Sequence, residues 1–92
     1  MNIEFMVDGV ELSDSLKDKV IAKFKKVEKH AKRITRVQVT LSREADMQTM
    51  KALVTLPGHH QVHASEAAKD LYNSVEPLVD KLVSQLEHLK RD

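Results

Sequence analysis

The sequence predicts an α+β two-layer sandwich, a four-stranded sheet with two helices on one face, in the order β-α-β-β-β-α. Three observations carry this expectation. Two long segments repeat apolar residues at helical spacing. Four short segments alternate apolar and polar residues with the period of a strand. Helices with one apolar stripe each need a sheet face to bury it. The chain of 92 residues is long enough for one domain, spanning 1–92, and too short for two.

Residues 2–7 place Ile3, Phe5 and Val7 on one face and Asn2 and Glu4 on the other, which reads as a half-buried strand. Asp8-Gly9 makes a turn, and Ser13, Asp14 or Ser15 caps the helix that follows. Leu16, Val20, Phe24, Val27 and Ala31 then recur at helical steps, giving an amphipathic helix from Ser13 to Lys32. Val37, Val39 and Leu41 mark a second strand, and Glu44-Ala45-Asp46 a hairpin connection. Met50, Ala52, Val54 and Leu56 form one face of a third strand, which Pro57-Gly58 ends. Gln61 to Ala64 is a short fourth strand. From Ser65 onward, Ala68, Leu71, Val75, Leu78, Leu82, Leu86 and Leu89 trace one helical stripe. Pro77 falls inside it and predicts a kink near Asn73 to Pro77, because proline lacks a donor and crowds the preceding turn.

The chain is 41% hydrophobic but has only three aromatic residues, Phe5, Phe24 and Tyr72, so its core is aliphatic. It has no cysteine, which removes disulfide and thiol chemistry. No basic-then-apolar leader and no apolar run of membrane length are present, and the expected setting is the cytoplasm, with no membrane partner.

The formal net charge of +1 conceals an uneven distribution. Residues 17–36 carry nine basic residues against two acids, Asp18 and Glu28, a local balance of +7. The rest of the chain carries six basic residues against twelve acids. On a helical projection Lys19, Lys23, Lys26, Lys29, His30 and Arg33 share one flank of the first helix, within roughly a third of its circumference. A helix built for solubility would alternate signs and form i,i+4 pairs. A segregated basic flank is the footprint of a polyanion binder. Without interleaved aromatic residues it suits phosphate contacts and shape recognition, hence folded RNA or duplex rather than a single strand. Lys81, His88 and Arg91 add a weaker basic side on the second helix.

Other chemistry finds little support. His59-His60-Gln61-Val62-His63 is the one candidate metal cluster, but His60 and His63 point to opposite faces of a strand and no carboxylate or thiol follows at useful spacing. The acids are scattered singly, and no nucleophile turn or phosphate-cradling glycine loop occurs. The expectation is a protein without catalytic residues, metal or cofactor. Asp70 and Tyr72 read as structural, an acid at a helix start and a ring on the core edge.

Two runs resemble a known family. Lys23-Phe24-Lys25-Lys26-Val27-Glu28-Lys29 with Arg33-Ile34-Thr35-Arg36-Val37-Gln38-Val39 resembles the first helix and second strand of the ribosome hibernation promoting factors. Val62-His63-Ala64-Ser65, then Asp70-Leu71-Tyr72 and Leu78-Val79-Asp80-Lys81-Leu82, is similar to their last strand and helix. The resemblance spans the chain, and its length matches the short form of the family. It implies a fold related to double-stranded-RNA-binding domains and a monomer when free. It also implies occupancy of the messenger and transfer RNA channel of the small ribosomal subunit in stationary phase or stress. Contacts would be made to 16S-type ribosomal RNA, and ribosomes would pair into inactive dimers with a ribosome modulation factor as a further partner. By matching position the RNA-binding residues are Lys17, Lys23, Lys26 and Arg33 on the first helix and Lys81 and Lys90 on the second; Lys19 and Lys29 join them from the basic flank. Ser84, Gln85, Glu87 and Leu89 stand where the family carries a denser basic run, which shifts the weight to the first helix. Two alternatives remain: a general double-stranded-RNA-binding module, and a protein-interaction domain with no affinity for nucleic acid.

Overall fold

Alternation of apolar and polar residues sets the sheet, and the computed structural model describes residues 2–31 and 33–89. β1 spans Ile3–Asp8, β2 Arg36–Glu44, β3 Met47–Thr55 and β4 Gln61–Ala68. They lie side by side in chain order, β1 parallel to β2 and the other pairs antiparallel. The parallel pair requires a crossover, which α1 (Asp14–His30) provides. α2 (Val75–Leu89) follows β4, after a short 3-10 turn over Leu71–Ser74.

The register aligns apolar residues in rows beneath the helices. Ile3, Val37, Val54 and Val62 form one row, and Phe5, Val39, Ala52 and Ala64 the next. Leu16, Val20, Phe24 and Val27 of α1 and Val75, Leu78, Val79, Leu82 and Leu86 of α2 are buried over them. The third row, Val7, Leu41 and Met50, ends at the inward position Glu66. There Lys81 Nζ lies 3.3 Å from Glu66 Oε2, so the partly buried carboxylate has a counterion.

The predicted order and two-layer class agree with the structure; three boundaries do not. β4 runs four residues beyond the predicted Ala64, because Ser65–Ala68 continues the ladder with β3 through Gln48↔Ala68. The helical stripe drawn from Ser65 therefore begins only after the strand. α1 starts at Asp14, with the Ser13 hydroxyl accepting from the Leu16 N–H at 3.2 Å, and Ala31 is already extended. The expected end at Lys32 lies outside the described residues. Pro77 makes no kink inside a long helix, for it occupies the first turn of α2, where its missing N–H has no intrahelical acceptor to lose. Asp70 caps the preceding 3-10 turn, its Oδ1 accepting from the Tyr72 N–H at 2.9 Å.

The β2–β3 hairpin closes through Ala45-Asp46, with Ala45 at φ +55°. An L side chain is strained there, whereas glycine is not. Ala45→Gly should therefore raise the free energy of unfolding by about 1 kcal/mol. Urea denaturation checks it, and an unchanged or lower midpoint would mean that the turn carries no strain.

Candidate nucleic-acid interface

The flank of α1 beside its buried stripe faces α2, and the contacts there rise together along both helices. Lys19 Nζ donates to the Tyr72 carbonyl at 2.8 Å and lies 3.9 Å from the centroid of the Tyr72 ring. Lys23 Nζ is 2.9 Å from Glu76 Oε1, Lys26 Nζ 3.2 Å from Asp80 Oδ1, and His30 Nδ1 2.5 Å from Glu87 Oε1. The helices thus run side by side in the same direction, with a row of cations on one and a row of carboxylates on the other. Lys23 hydrogen-bonds Glu76 and adds its charge, and these, with a smaller pull from Lys19, lower the Glu76 carboxyl from its ordinary value against desolvation and a weaker push from Asp80. Because the folded value is the depressed one, what this pair contributes to stability is complete above the ordinary carboxylate range and is lost as pH falls through the folded value.

Between these rows the helices enclose an open groove of about 740 Å³, lined by Lys23, Lys25, Lys26, Lys29 and His30 of α1 and by Glu76 and Asp80 of α2. Lys25, Lys29 and Arg33 make no hydrogen bond or ion pair among the described residues. No carboxylate among the described residues offsets their charge. An open, water-accessible groove with such a lining suits phosphates, which lysine binds as a point charge. Among the described residues no three His, Cys, Asp or Glu side chains converge as metal ligands.

The predicted residues divide by position. Lys23, Lys26 and Lys29 meet in the groove, with Lys19 at its Tyr72 end. Arg33 lies beyond His30, in an apolar hollow with Leu56, Pro57 and Leu89. Lys17 stands on the far side of α1, its ammonium 5.9 Å from the centroid of the Phe5 ring. Lys81 is engaged at the free edge of β4, donating to the Ser65 carbonyl at 3.0 Å besides pairing with Glu66. Lys90 lies outside the described residues. At the same edge the Gln85 side chain accepts from the His63 N–H at 3.2 Å and donates to the His63 carbonyl, as a neighbouring strand would. Long side chains of α2 therefore cover an edge that would otherwise be open to pairing.

Sequence reasoning missed Lys25, which the helical projection sets apart from the basic flank, and the facing carboxylates Glu76 and Asp80. A signal for the acids existed. Glu76, Asp80 and Glu87, at steps of four and seven, share one side of α2, as Lys23, Lys26 and His30 share one side of α1 at steps of three and four, but the two sets mean something together only once the helices are known to be parallel.

Residues 3–92 match the family model described as Sigma 54 modulation protein / S30EA ribosomal protein. The chain is 35% identical over 86 residues to a ribosome hibernation promoting factor of Escherichia coli strain K12, covering 94% of this chain and 90% of that protein. It is 34% identical over 90 residues to the ribosome hibernation promoting factor of Pseudomonas putida strain KT2440, covering 98% of this chain and 87% of that protein. Its fold superposes on the Protein Y N-terminal domain of Thermus thermophilus with a TM-score of 0.82 at 26% identity, covering 97% of this chain and 99% of the other. A ribosomal subunit interface protein from Coxiella burnetii gives a TM-score of 0.88 at 24% identity over the full length of both chains, a likeness of fold.

Proposed function

The chain belongs to the Sigma 54 modulation protein / S30EA ribosomal protein family, and we propose that it is a cytoplasmic hibernation factor that silences translation by occupying the messenger and transfer RNA channel of the small ribosomal subunit. The observation that carries this reading is the groove between α1 and α2, with four lysines on a rigid scaffold and two of them, Lys25 and Lys29, without a counterion among the described residues. The mechanism is occupancy. Phosphate contacts hold a preformed domain where the substrates of translation must pass, and no bond is made or broken. A monomer is enough to block the channel, and pairing of blocked ribosomes, with a modulation factor as partner, follows in this scheme as a later step.

The test is a competition at fixed physiological salt. Labelled protein bound to purified small subunits is challenged with unlabelled subunits, with generic duplex RNA, and with transfer RNA plus messenger. A composite site in folded RNA should be preferred over non-specific sites by about 4–10 kcal/mol. Duplex RNA should therefore displace the protein poorly, while transfer RNA with messenger competes because the sites overlap. Displacement by duplex as easily as by unlabelled subunits would replace this reading with a general duplex-binding module. Failure of the protein to sediment with ribosomes at any salt would remove both.

A further inference from the structure

The carboxylate row of α2 is at odds with a groove built only to attract phosphate. Glu76 and Asp80 stand one turn apart on the same side of α2, a like-charge spacing that weakens a helix. Their ion pairs are solvent-exposed, with 46% and 61% of the Lys23 and Glu76 side chains accessible, and exposed pairs stabilise a fold little. Glu76, in the first turn, favours the start of α2, but that leaves Asp80 and the alignment of both acids with the lysines unexplained. The clear effect of the pair is on the groove, where it offsets two of the cations that a phosphate would seek.

A ligand that offers only phosphates must either leave Lys23 and Lys26 in their pairs or draw them away and set its own charge against two freed carboxylates. Regular duplex RNA comes close to such a ligand, since it is contacted mostly through phosphates and 2′-hydroxyls while cytosine N4 is paired and recessed in a deep, narrow groove that side chains do not reach. Folded RNA with unpaired bases differs. It presents amino groups, such as cytosine N4, from which Asp and Glu accept. Phosphates on such a segment can take the lysines while its base donors take the carboxylates, so no charge in the groove is left unmatched. We propose that Glu76 and Asp80 are selectivity residues of the groove, closing Lys23 and Lys26 to phosphate-only ligands and accepting hydrogen bonds from unpaired bases of a folded RNA. This rests on the RNA-binding reading given above.

The double variant Glu76→Gln with Asp80→Asn tests it, measured at fixed salt against purified small subunits and against a mixed-sequence duplex RNA. Duplex affinity should rise about tenfold, with its salt slope steeper by about 0.7–0.9 for each lysine released. Affinity for subunits should stay level or fall, so the ratio of the two drops at least about tenfold, each tenfold step being about 1.4 kcal/mol. The charge-retaining variant Glu76→Asp with Asp80→Glu should restore discrimination, which distinguishes a lost charge from a disturbed helix. An equal rise on both ligands would mean that the carboxylates only screen charge, and no change on either would mean that they play no part; each result overturns the proposal. If the wild-type protein binds duplex but not subunits, the hibernation reading fails first and this one falls with it.

Discussion

Substitution of Phe24 by alanine should lower the free energy of unfolding by about 3–5 kcal/mol. The total stability of a domain is about 5–15 kcal/mol, and a chain this short sits toward the lower end. Phe24 is 0% exposed and heads the fully buried side chains by size. It is the only aromatic ring of the fully buried core, so no neighbouring ring fills the space it leaves. It also lies midway along the four residues by which α1 sits on the sheet. Losing it would loosen the helix that carries Lys23, Lys25, Lys26 and Lys29, and RNA binding should fall together with stability. Ile21→Ala is the control, since Ile21 lies on the same helix at 42% exposure and should cost under about 1 kcal/mol. Urea denaturation of both variants reads the difference. A Phe24→Ala cost no larger than that of Ile21→Ala would mean that α1 is not anchored through this ring.

The elements that could be read along the chain are those whose period is unambiguous. Leu16, Val20, Phe24 and Val27 repeat as only a helix does, and Val37, Val39 and Leu41 alternate as only a strand does. Residues 65–68 were harder because Ser, Glu and Ala are weak strand formers, and Ala68 with Leu71 continues the spacing of the helix beyond. What holds them extended is the ladder to Gln48–Lys51, a non-local contact that local propensity does not register. The expected kink at Pro77 does not form, because its effect depends on where the helix begins, and α2 begins at Val75. The basic flank was legible as a charge count. Its neutralisation was not, because Glu76, Asp80 and Glu87 are more than fifty residues away in sequence and meet it only through the parallel packing of two helices.

That distinction decides which lysines report binding most cleanly. Substituting Lys23 or Lys26 removes a cation and also leaves Glu76 or Asp80 without its partner, so any loss mixes two effects. Lys25, Lys29 and Arg33 have no such partner among the described residues. Replacing these three together with glutamine should leave the fold intact and remove only external contacts. Each phosphate contact contributes about 0.7–0.9 to the slope of log affinity against log salt, which at about 0.1 M salt corresponds to nearly tenfold in affinity. The triple variant should therefore bind small subunits about 10²- to 10³-fold more weakly, with a slope shallower by roughly two to three units. Thermal unfolding should be unchanged, since surface substitutions away from caps and pairs usually move stability by no more than about 0.5 kcal/mol. Sedimentation or fluorescence titration over a series of salt concentrations gives both quantities from one experiment. A weaker affinity with an unchanged slope would show that these cations act through something other than phosphate. If affinity and slope both match the wild type, the groove is not the RNA-binding surface.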